Sequence, residues 1–110
     1  MSDGESISGE SASGEVVGTE FVVTDEPDQG RFVMHRDGNL VGFADYRQND
    51  GAVIVPHVET LIAYRGQGYG ARLMDGLLDI LRADGRRIVP LCPFAADHIR
   101  QNEQFHDLLN

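Results

Sequence analysis

The chain contains no lysine, and all nine of its basic residues are arginine. A phosphate-binding loop of the Walker type is therefore excluded, because that loop needs a lysine followed by serine or threonine. Only one cysteine occurs, Cys92, so neither an internal disulfide nor a cysteine-rich zinc site can form. No run approaches the roughly 18 apolar residues of a membrane span, and the first residues lack the features of a signal peptide. These absences predict a cytoplasmic protein with no membrane partner.

Positive charge is missing from the amino-terminal part of the chain. Residues 1–30 carry eight acidic residues and no base, whereas the rest of the sequence is nearly neutral. A net charge of −9 argues against nucleic acid as a partner, because binding to phosphates requires a basic face. The 110 residues leave room for one small domain. Residues 1–18, rich in serine, glycine and glutamate, predict a flexible acidic tail, and residues 19–110 predict the domain itself.

Short apolar runs separated by turn residues characterise residues 20–61. The runs EFVVT, RFVMHR, LVGFADYR and AVIVPHVETL are typical of strands. Asp37-Gly38 and Asn49-Asp50-Gly51 favour hairpin turns, because these residues accept the positive φ that such turns require. The pattern predicts a three- or four-stranded antiparallel meander.

The spacing of apolar residues changes to a helical period after residue 72. The apolar positions are Leu73, Met74, Leu77, Leu78, Ile80 and Leu81. Gly85 is typical of the residue that ends a helix, RRIVPL predicts one more strand, and residues 93–110 predict one or two short helices. A set of strands followed by strand, helix and strand indicates an α+β fold with a mixed sheet.

Three glycines in the segment YRGQGYG lie between the last meander strand and this helix. Gly66, Gly68 and Gly70 let the backbone direct the unpaired first amides of the helix inward, and they let a ligand approach without meeting a Cβ. The helix dipole and Arg65 both favour negative charge at this turn, so a phosphate is the natural ligand. A tight turn with a purely structural role is the alternative.

Two glycine motifs that bind phosphate remain possible here. Gly66, Gly68 and Ala71 satisfy the dinucleotide fingerprint, but the following strand RRIVPL ends without the acidic residue that would hold a ribose. The pattern R/Q-x-x-G-x-G/A is met by Arg65, Gly68 and Gly70. The second motif fits the surrounding sequence better.

The stretch HVETLIAYRGQGYG, followed by the helix and then VPLCPFAADHIR, resembles the GNAT superfamily of acyl-CoA-dependent N-acetyltransferases. It is most similar to a very small, single-domain branch that carries His-Thr-Glu-Val before YRGQG and PLCPF after the helix. The resemblance covers residues 30–109 and implies a minimal GNAT-like α+β fold with acetyl-CoA as cosubstrate and no metal. Two departures stand out: His57-Val58-Glu59-Thr60 changes two of the four motif residues, and Asn102-Glu103 replaces a His-Pro dipeptide, although His98 and His106 lie near.

The resemblance also implies the position of the cofactor. The pyrophosphate would lie on the turn, and pantetheine would run along the strand that ends near Glu59 and Thr60, pairing with its backbone as an added strand does. The residues implied for the turn are Arg65, Gly66, Gln67, Gly68, Tyr69 and Gly70. A backbone amide near Thr60 would stabilise the oxyanion.

Three residues are candidates for catalysis of transfer to an amine. His57 and Glu59 lie two apart on one strand and so share a face, where either could accept a proton; a packed histidine and a solvated carboxylate are the alternatives. Cys92 lies at the end of the last strand between Pro90 and Pro93, which interrupt the ladder and would let two strands part around a ligand. Its thiol would be an acyl acceptor, a proton donor to the thiolate, or a small buried hydrophobe.

Direct attack by the amine in a ternary complex is the predicted reaction, with the amine itself unidentified. A non-catalytic module that senses or binds acyl-CoA is the alternative, because a fold alone does not guarantee a reaction. The predicted oligomeric state is a monomer or a homodimer, since an exposed edge strand would gain from pairing.

Overall fold

A computed structural model describes residues 15–17 and 21–110 of the chain. One sheet contains six strands in sequential order: β1 (Glu15–Val17), β2 (Phe21–Glu26), β3 (Arg31–Arg36), β4 (Asn39–Asn49), β5 (Ala52–Thr60) and β6 (Arg87–Pro90). The helices are α1 (Tyr69–Asp84) and α2 (Pro93–Gln101), with 3₁₀ helices at Pro27–Gln29, Ile62–Tyr64 and Glu103–Leu108. In the described part of the chain, no helix is long and apolar enough to cross a membrane.

The sheet is mixed, as the alternation of elements predicted. Strands β1 to β5 form an antiparallel meander, and β6 pairs in parallel with β5 after the crossover through α1. The prediction of three or four meander strands was wrong by one, because Glu15–Val17 pair with β2. These three residues lie within the segment predicted to be a tail, so the sheet begins before residue 19; residues 1–14 lie outside the described residues.

Both predicted hairpin turns are present. Asp37 and Gly38 have φ of +51° and +85°, and Asp50 and Gly51 have φ of +54° and +79°. Two consecutive residues with positive φ match the twist of the flanking strands, which explains why Asp-Gly was a reliable turn signal.

Helix α1 packs its apolar side on the sheet and supplies more core residues than any other single element. Its buried residues include Leu73, Met74, Leu77, Leu78 and Leu81. Gly76 permits close approach to β2, because a Cβ there would lie 2.5 Å from Val23 Cγ2. Gly85 ends the helix with φ of +70° and donates its amide to the carbonyl of Arg82, as predicted from its position.

Helix α2 and the last 3₁₀ helix pack beside α1 and complete the same core. They contribute Ile99, Phe105 and Leu108. The chain then adds a bridge at the edge of the sheet, where Leu109 pairs in parallel with Ile88 of β6.

A buried polar network connects β2, β4 and the residues after α1. The Tyr46 hydroxyl donates to Asp25 Oδ1, and Arg86 donates to Asp25 Oδ2 at 2.9 Å and to Asp84 Oδ2 at 2.7 Å. Burial and the neighbouring Asp25 carboxylate raise the pKa of Tyr46 to about 12. Nothing in the sequence pattern indicated this network, because Asp25 and Arg86 are 61 residues apart.

Candidate active site

A cleft opens where β5 and β6 separate. The parallel ladder joins Ala52–Val55 to residues 87–90, and the amides of Leu91 and Cys92 then both donate to the Val55 carbonyl at 3.0 Å. Strand β6 ends at this point, whereas β5 continues for five more residues. Its second half therefore has a neighbouring strand on one side only, which is the β4 side.

A β-bulge in β5 coincides with this separation. Asp45 pairs with His57 and Arg47 pairs with Ile54, so one residue of β4 lies opposite two residues of β5. Strand β5 therefore contains one extra residue. Pro56 lies in the irregular stretch, where its missing N–H costs no ladder hydrogen bond. Because a bulge bends a strand and increases its twist, it directs the end of β5 away from β6.

The backbone of Val58 and Thr60 faces this cleft. The Leu61 amide donates to the Val41 carbonyl at 2.8 Å, and in an antiparallel ladder every second pair is hydrogen-bonded. Phe43 and Glu59 are therefore the next bonded pair, and the polar backbone atoms of Val58 and Thr60 point away from β4. A ligand in the cleft can thus pair with the backbone of Val58 and with the amide of Thr60, whereas the Thr60 carbonyl already accepts a hydrogen bond from Arg65 and the backbone of Glu59 is used by β4.

The cleft has a volume of about 440 Å³ and mainly apolar walls. Its lining residues are Val58, Thr60, Tyr64, Arg65, Gly66, Gly68, Tyr69, Gly70, Ala71 and Phe94. Six of the residues predicted to bind the cofactor are among them: Thr60, Arg65, Gly66, Gly68, Tyr69 and Gly70. The other two do not line it: Gln67 is exposed to solvent on the turn, and the Glu59 side chain lies on the opposite face of the sheet.

The glycine turn presents helix amides at one end of the cleft. Gly66 and Gly68 have φ of +79° and +82°, and no atom lies within 4 Å of where a Cβ would be. The first intrahelical bond runs from the Arg72 amide to the Gly68 carbonyl, so the three preceding amides have no partner within the helix. The first turn of α1 contains no acidic residue. This combination favours an anionic group, for which the dipole of α1 adds attraction.

Two side chains flank the turn and hold its residues in place. Arg65 Nε donates to the Thr60 carbonyl at 2.9 Å, which ties the turn to the end of β5. Tyr69 is buried, and its hydroxyl accepts a hydrogen bond from Arg36 at the end of β3. The turn is thus fixed against two strands of the sheet.

Phe94 forms the wall opposite β5 and was not identified from the sequence. It is 45% exposed, and its ring lies so close to α1 that a Cβ on Gly70 would be 2.9 Å from Cζ. Gly70 is therefore required for close packing, whereas Gly66 and Gly68 are required for positive φ. No periodicity in the sequence could indicate that α2 would place Phe94 over the first turn of α1.

His57 and Glu59 form one pair of the predicted catalytic residues. His57 Nε2 and Glu59 Oε1 are 2.9 Å apart, with 52% and 36% of the side chains exposed. Both point to the sheet face opposite α1, where His57 also contacts the ring of Phe43. The prediction that the two residues share a face is confirmed.

Cys92 lies apart from that pair. It is 8% exposed and belongs to the hydrophobic core, at the position immediately before α2. Its amide is bonded to Val55, so the residue marks the vertex where β5 and β6 separate. The structure therefore joins His57 to Glu59 but places Cys92 on the side of the sheet that α1 covers.

Sequence comparison identifies the family. The model of the family described as GCN5-related N-acetyl-transferase matches residues 31–108, which is most of the chain. The chain belongs to the GCN5-related N-acetyltransferase (GNAT) family. No curated protein matches its sequence significantly. The resemblance based on YRGQGYG and PLCPF is thereby confirmed at the level of the family, and the chain is a GNAT-like N-acetyltransferase domain.

Comparison of structures supports the GNAT-like α+β fold. The solution structure of a GCN5-like protein from Staphylococcus aureus aligns with a TM-score of 0.56 and 17% identity, covering 91% of this chain and 90% of that chain. N-acetylglutamate synthase from Neisseria gonorrhoeae, complexed with coenzyme A and N-acetyl-glutamate, aligns with a TM-score of 0.51 and 20% identity. That alignment covers 66% of this chain and 18% of the synthase. At these identities the likeness shows the fold alone.

Proposed function

We propose that this GNAT domain transfers the acetyl group of acetyl-CoA to an amine in a ternary complex. The observation that carries the proposal is the cleft between the second half of β5, the start of α1 and Phe94, which includes a glycine turn with unpaired helix amides. An extended ligand with a phosphate group at one end and amide groups along its length suits this shape. CoA has this pattern, since its pyrophosphate is followed by the two amides of pantetheine.

The turn of residues 65–70 would bind the pyrophosphate. The three amides at the start of α1 and the Arg65 guanidinium supply donors and positive charge, and both open glycines admit the phosphate oxygens. Pantetheine would then pair with the backbone of Val58 and Thr60, as an added strand does, between β5 and the ring of Phe94. Its thioester would lie towards the vertex near Cys92.

The reaction forms a C–N bond and breaks the C–S bond of the thioester. The acceptor amine must lose a proton, the carbonyl oxygen becomes an oxyanion, and the CoA thiolate takes up a proton. A backbone amide of β5 that faces the cleft, that of Val58 or Thr60, would stabilise the oxyanion by donating a hydrogen bond to it. The His57–Glu59 pair would accept the amine proton through water from the open face of the sheet and release it to solvent. The Cys92 thiol would protonate the departing thiolate and regain a proton from solvent after the product leaves.

Two nearly isosteric variants of Gly68 test the cofactor site. Asn and Asp both tolerate the positive φ at this position, so Gly68→Asn and Gly68→Asp differ mainly in charge. A unit charge about 5 Å from a phosphate costs roughly 1 kcal/mol in water and about 3 kcal/mol at an effective dielectric constant of 20. Calorimetric titration should therefore give CoA binding roughly 5- to 200-fold weaker for Gly68→Asp than for Gly68→Asn. Equal affinity of the two variants would make the turn purely structural.

Parallel titrations of the unmodified chain identify the ligand class. Acetyl-CoA and CoA should bind and NADH should not, because strand β6 ends without the acidic residue that would hold the adenosine ribose of a dinucleotide. Binding of NADH alone would contradict the proposal.

Thiol release from acetyl-CoA in the presence of candidate amines tests turnover. Amine-dependent release supports transfer, whereas tight binding without release for any amine would favour a sensor of acyl-CoA.

Cys92→Ser and Cys92→Ala separate the roles of the thiol. A covalent route predicts acetylated protein by mass spectrometry only when Cys92 is present, while direct transfer predicts no such adduct.

The location and assembly of the protein stay predictions. We propose a cytoplasmic protein, because its single cysteine agrees with a reducing compartment, acting as a monomer or homodimer. Cell fractionation and light scattering measure these two properties directly.

A further inference from the structure

The position of Phe94 in the cleft depends on contacts made one turn later in α2. Nearly half of the Phe94 side chain is exposed, so the core alone does not hold the ring in place. His98 stacks on it, with ring centroids 6.5 Å apart and an angle of 26° between the planes. His98 also stacks on Phe105, with ring centroids 6.3 Å apart and an angle of 29° between the planes. The three rings form a continuous column from the core to the cleft.

Asp75 of α1 anchors the middle ring of this column. His98 Nε2 lies 2.7 Å from Asp75 Oδ1, and 11% of the His98 side chain is exposed, compared with 54% for Asp75. A hydrogen bond between α1 and α2 thus fixes the imidazole in the plane in which it meets Phe94. At the far end of the column, the Phe94 ring contacts α1 again at Gly70.

We propose that His98, held by Asp75, is a positioning residue that fixes the Phe94 wall and thereby sets the affinity of the cleft for the pantetheine arm of CoA. The inference rests on the proposed function, since it assumes that pantetheine lies between Phe94 and β5. Without the anchor, the Phe94 side chain can leave the wall by rotating about its χ1 bond. The ligand then loses an apolar contact surface along its amide-bearing arm, while the glycine turn that binds phosphate stays intact.

Four variants separate the anchor, the stack and the wall. Asp75→Ala removes the anchor, Asp75→Asn keeps an acceptor for the His98 ring, and His98→Phe keeps the stack but loses the hydrogen bond. Phe94→Ala removes the wall itself. Asp97→Ala is the matched control, because it breaks the exposed Asp97–Arg100 pair on the same helix, away from the column.

We expect Phe94→Ala to raise both the Kd and the KM for acetyl-CoA about tenfold, and Asp75→Ala and His98→Phe to raise them 3- to 10-fold. The value of kcat should change less than twofold. Asp75→Asn should restore most of the affinity, and Asp97→Ala should bind as the unmodified chain does. A merely structural role for Asp75 would lower the melting temperature of Asp75→Ala without changing the Kd of the folded protein, and that result would overturn the proposal.

ADP distinguishes failure of this proposal from failure of the proposed function. It carries a pyrophosphate but no pantetheine, so its affinity should be the same in Asp75→Ala and in the unmodified chain. An equal loss of affinity for ADP and CoA would place the effect at the turn and refute the role of the column. If the unmodified chain binds no CoA, the proposed function fails; if it binds CoA and Asp75→Ala binds equally well, only the positioning role fails.

Discussion

Gly42 of β4 allows the closest backbone approach next to the cleft. A Cβ at this position would lie 2.6 Å from the carbonyl oxygen of Glu59 and 3.4 Å from Cα of Thr60. An ordinary C···O contact is about 3.3 Å, so Gly42→Ala would force β5 to retreat by roughly 0.7 Å. The displaced residues are therefore Glu59 and Thr60, and the amide of Thr60 faces the cleft.

Two opposing effects determine the stability of Gly42→Ala. Alanine in a strand is favoured over glycine by about 0.5–1 kcal/mol, whereas overpacking costs about 1–3 kcal/mol. The contact is with backbone, which cannot turn aside as a side chain can, so the larger cost should prevail. We expect a net loss of about 1–2 kcal/mol in the free energy of unfolding, which lowers the melting temperature by roughly 4–15 °C in a domain of this size.

Kinetics of acetyl transfer test whether the displacement reaches the site. Since misplacement of reacting groups by about 1 Å can cost roughly a hundredfold in rate, kcat/KM for acetyl-CoA should fall about 10-fold or more in Gly42→Ala. Gly76→Ala is the matched control. Its Cβ would lie 2.5 Å from Val23 Cγ2, and this clash is remote from the cleft. It should lose comparable stability and keep kcat/KM when assayed below its melting temperature. Unchanged stability and kcat/KM in Gly42→Ala would refute the reasoning.

Three further predictions concern stability. Tyr46→Phe leaves Asp25 without its hydroxyl donor and should cost about 1–3 kcal/mol in urea unfolding. Because the pKa of Tyr46 is raised to about 12, the stabilisation by its hydroxyl is present below pH 10.0 and is lost as the pH rises towards 12; Tyr46→Phe should show a smaller alkaline loss. Gly85→Ala should lower stability by about 1–2 kcal/mol, because φ is +70° there, and Gly85→Asn should lower it less in thermal unfolding. The hydrogen bond from Arg82 lowers the pKa of Asp107 in the folded protein. The stabilisation by this ion pair is therefore fully present above pH 3.8, the pKa of Asp107 in the unfolded chain, and is lost as the pH falls through the lower pKa of the folded protein. Unfolding measured over a series of acid pH values should show a weaker dependence for Arg82→Gln.

Local patterns explain why much of the fold was predictable. The helical period that begins at Leu73 and the stop at Gly85 depend only on neighbouring residues, and so do the two Asp-Gly turns. Strand β1 was missed because three residues in an acidic segment form a strand only by pairing with β2, which is a contact that no local pattern reveals. The separation of β5 from β6 was expected from the prolines around Cys92, but the bulge at Pro56 was not.

The site was predictable where it is contiguous in sequence. The turn from Arg65 to Gly70 was identified because a glycine motif and a helix start lie together, and the shared face of His57 and Glu59 followed from their spacing of two. Phe94 was not identified, because its place in the cleft depends on how α2 packs against α1. The relation of Cys92 to the other candidates likewise required the tertiary structure.

The second half of β5 has an unpaired side, as an edge strand has, although β5 lies between β4 and β6 in the sheet. The amides of Val58 and Thr60 and the carbonyl of Val58 have no neighbouring strand on the β6 side, so we expect these amides to exchange their hydrogens readily and to be able to pair with a foreign strand. A ligand that pairs with them would protect these groups in the way that a further strand would. On this basis, the supply of ligand in the cell should govern the resistance of the protein to aggregation and its lifetime, in addition to its catalytic rate.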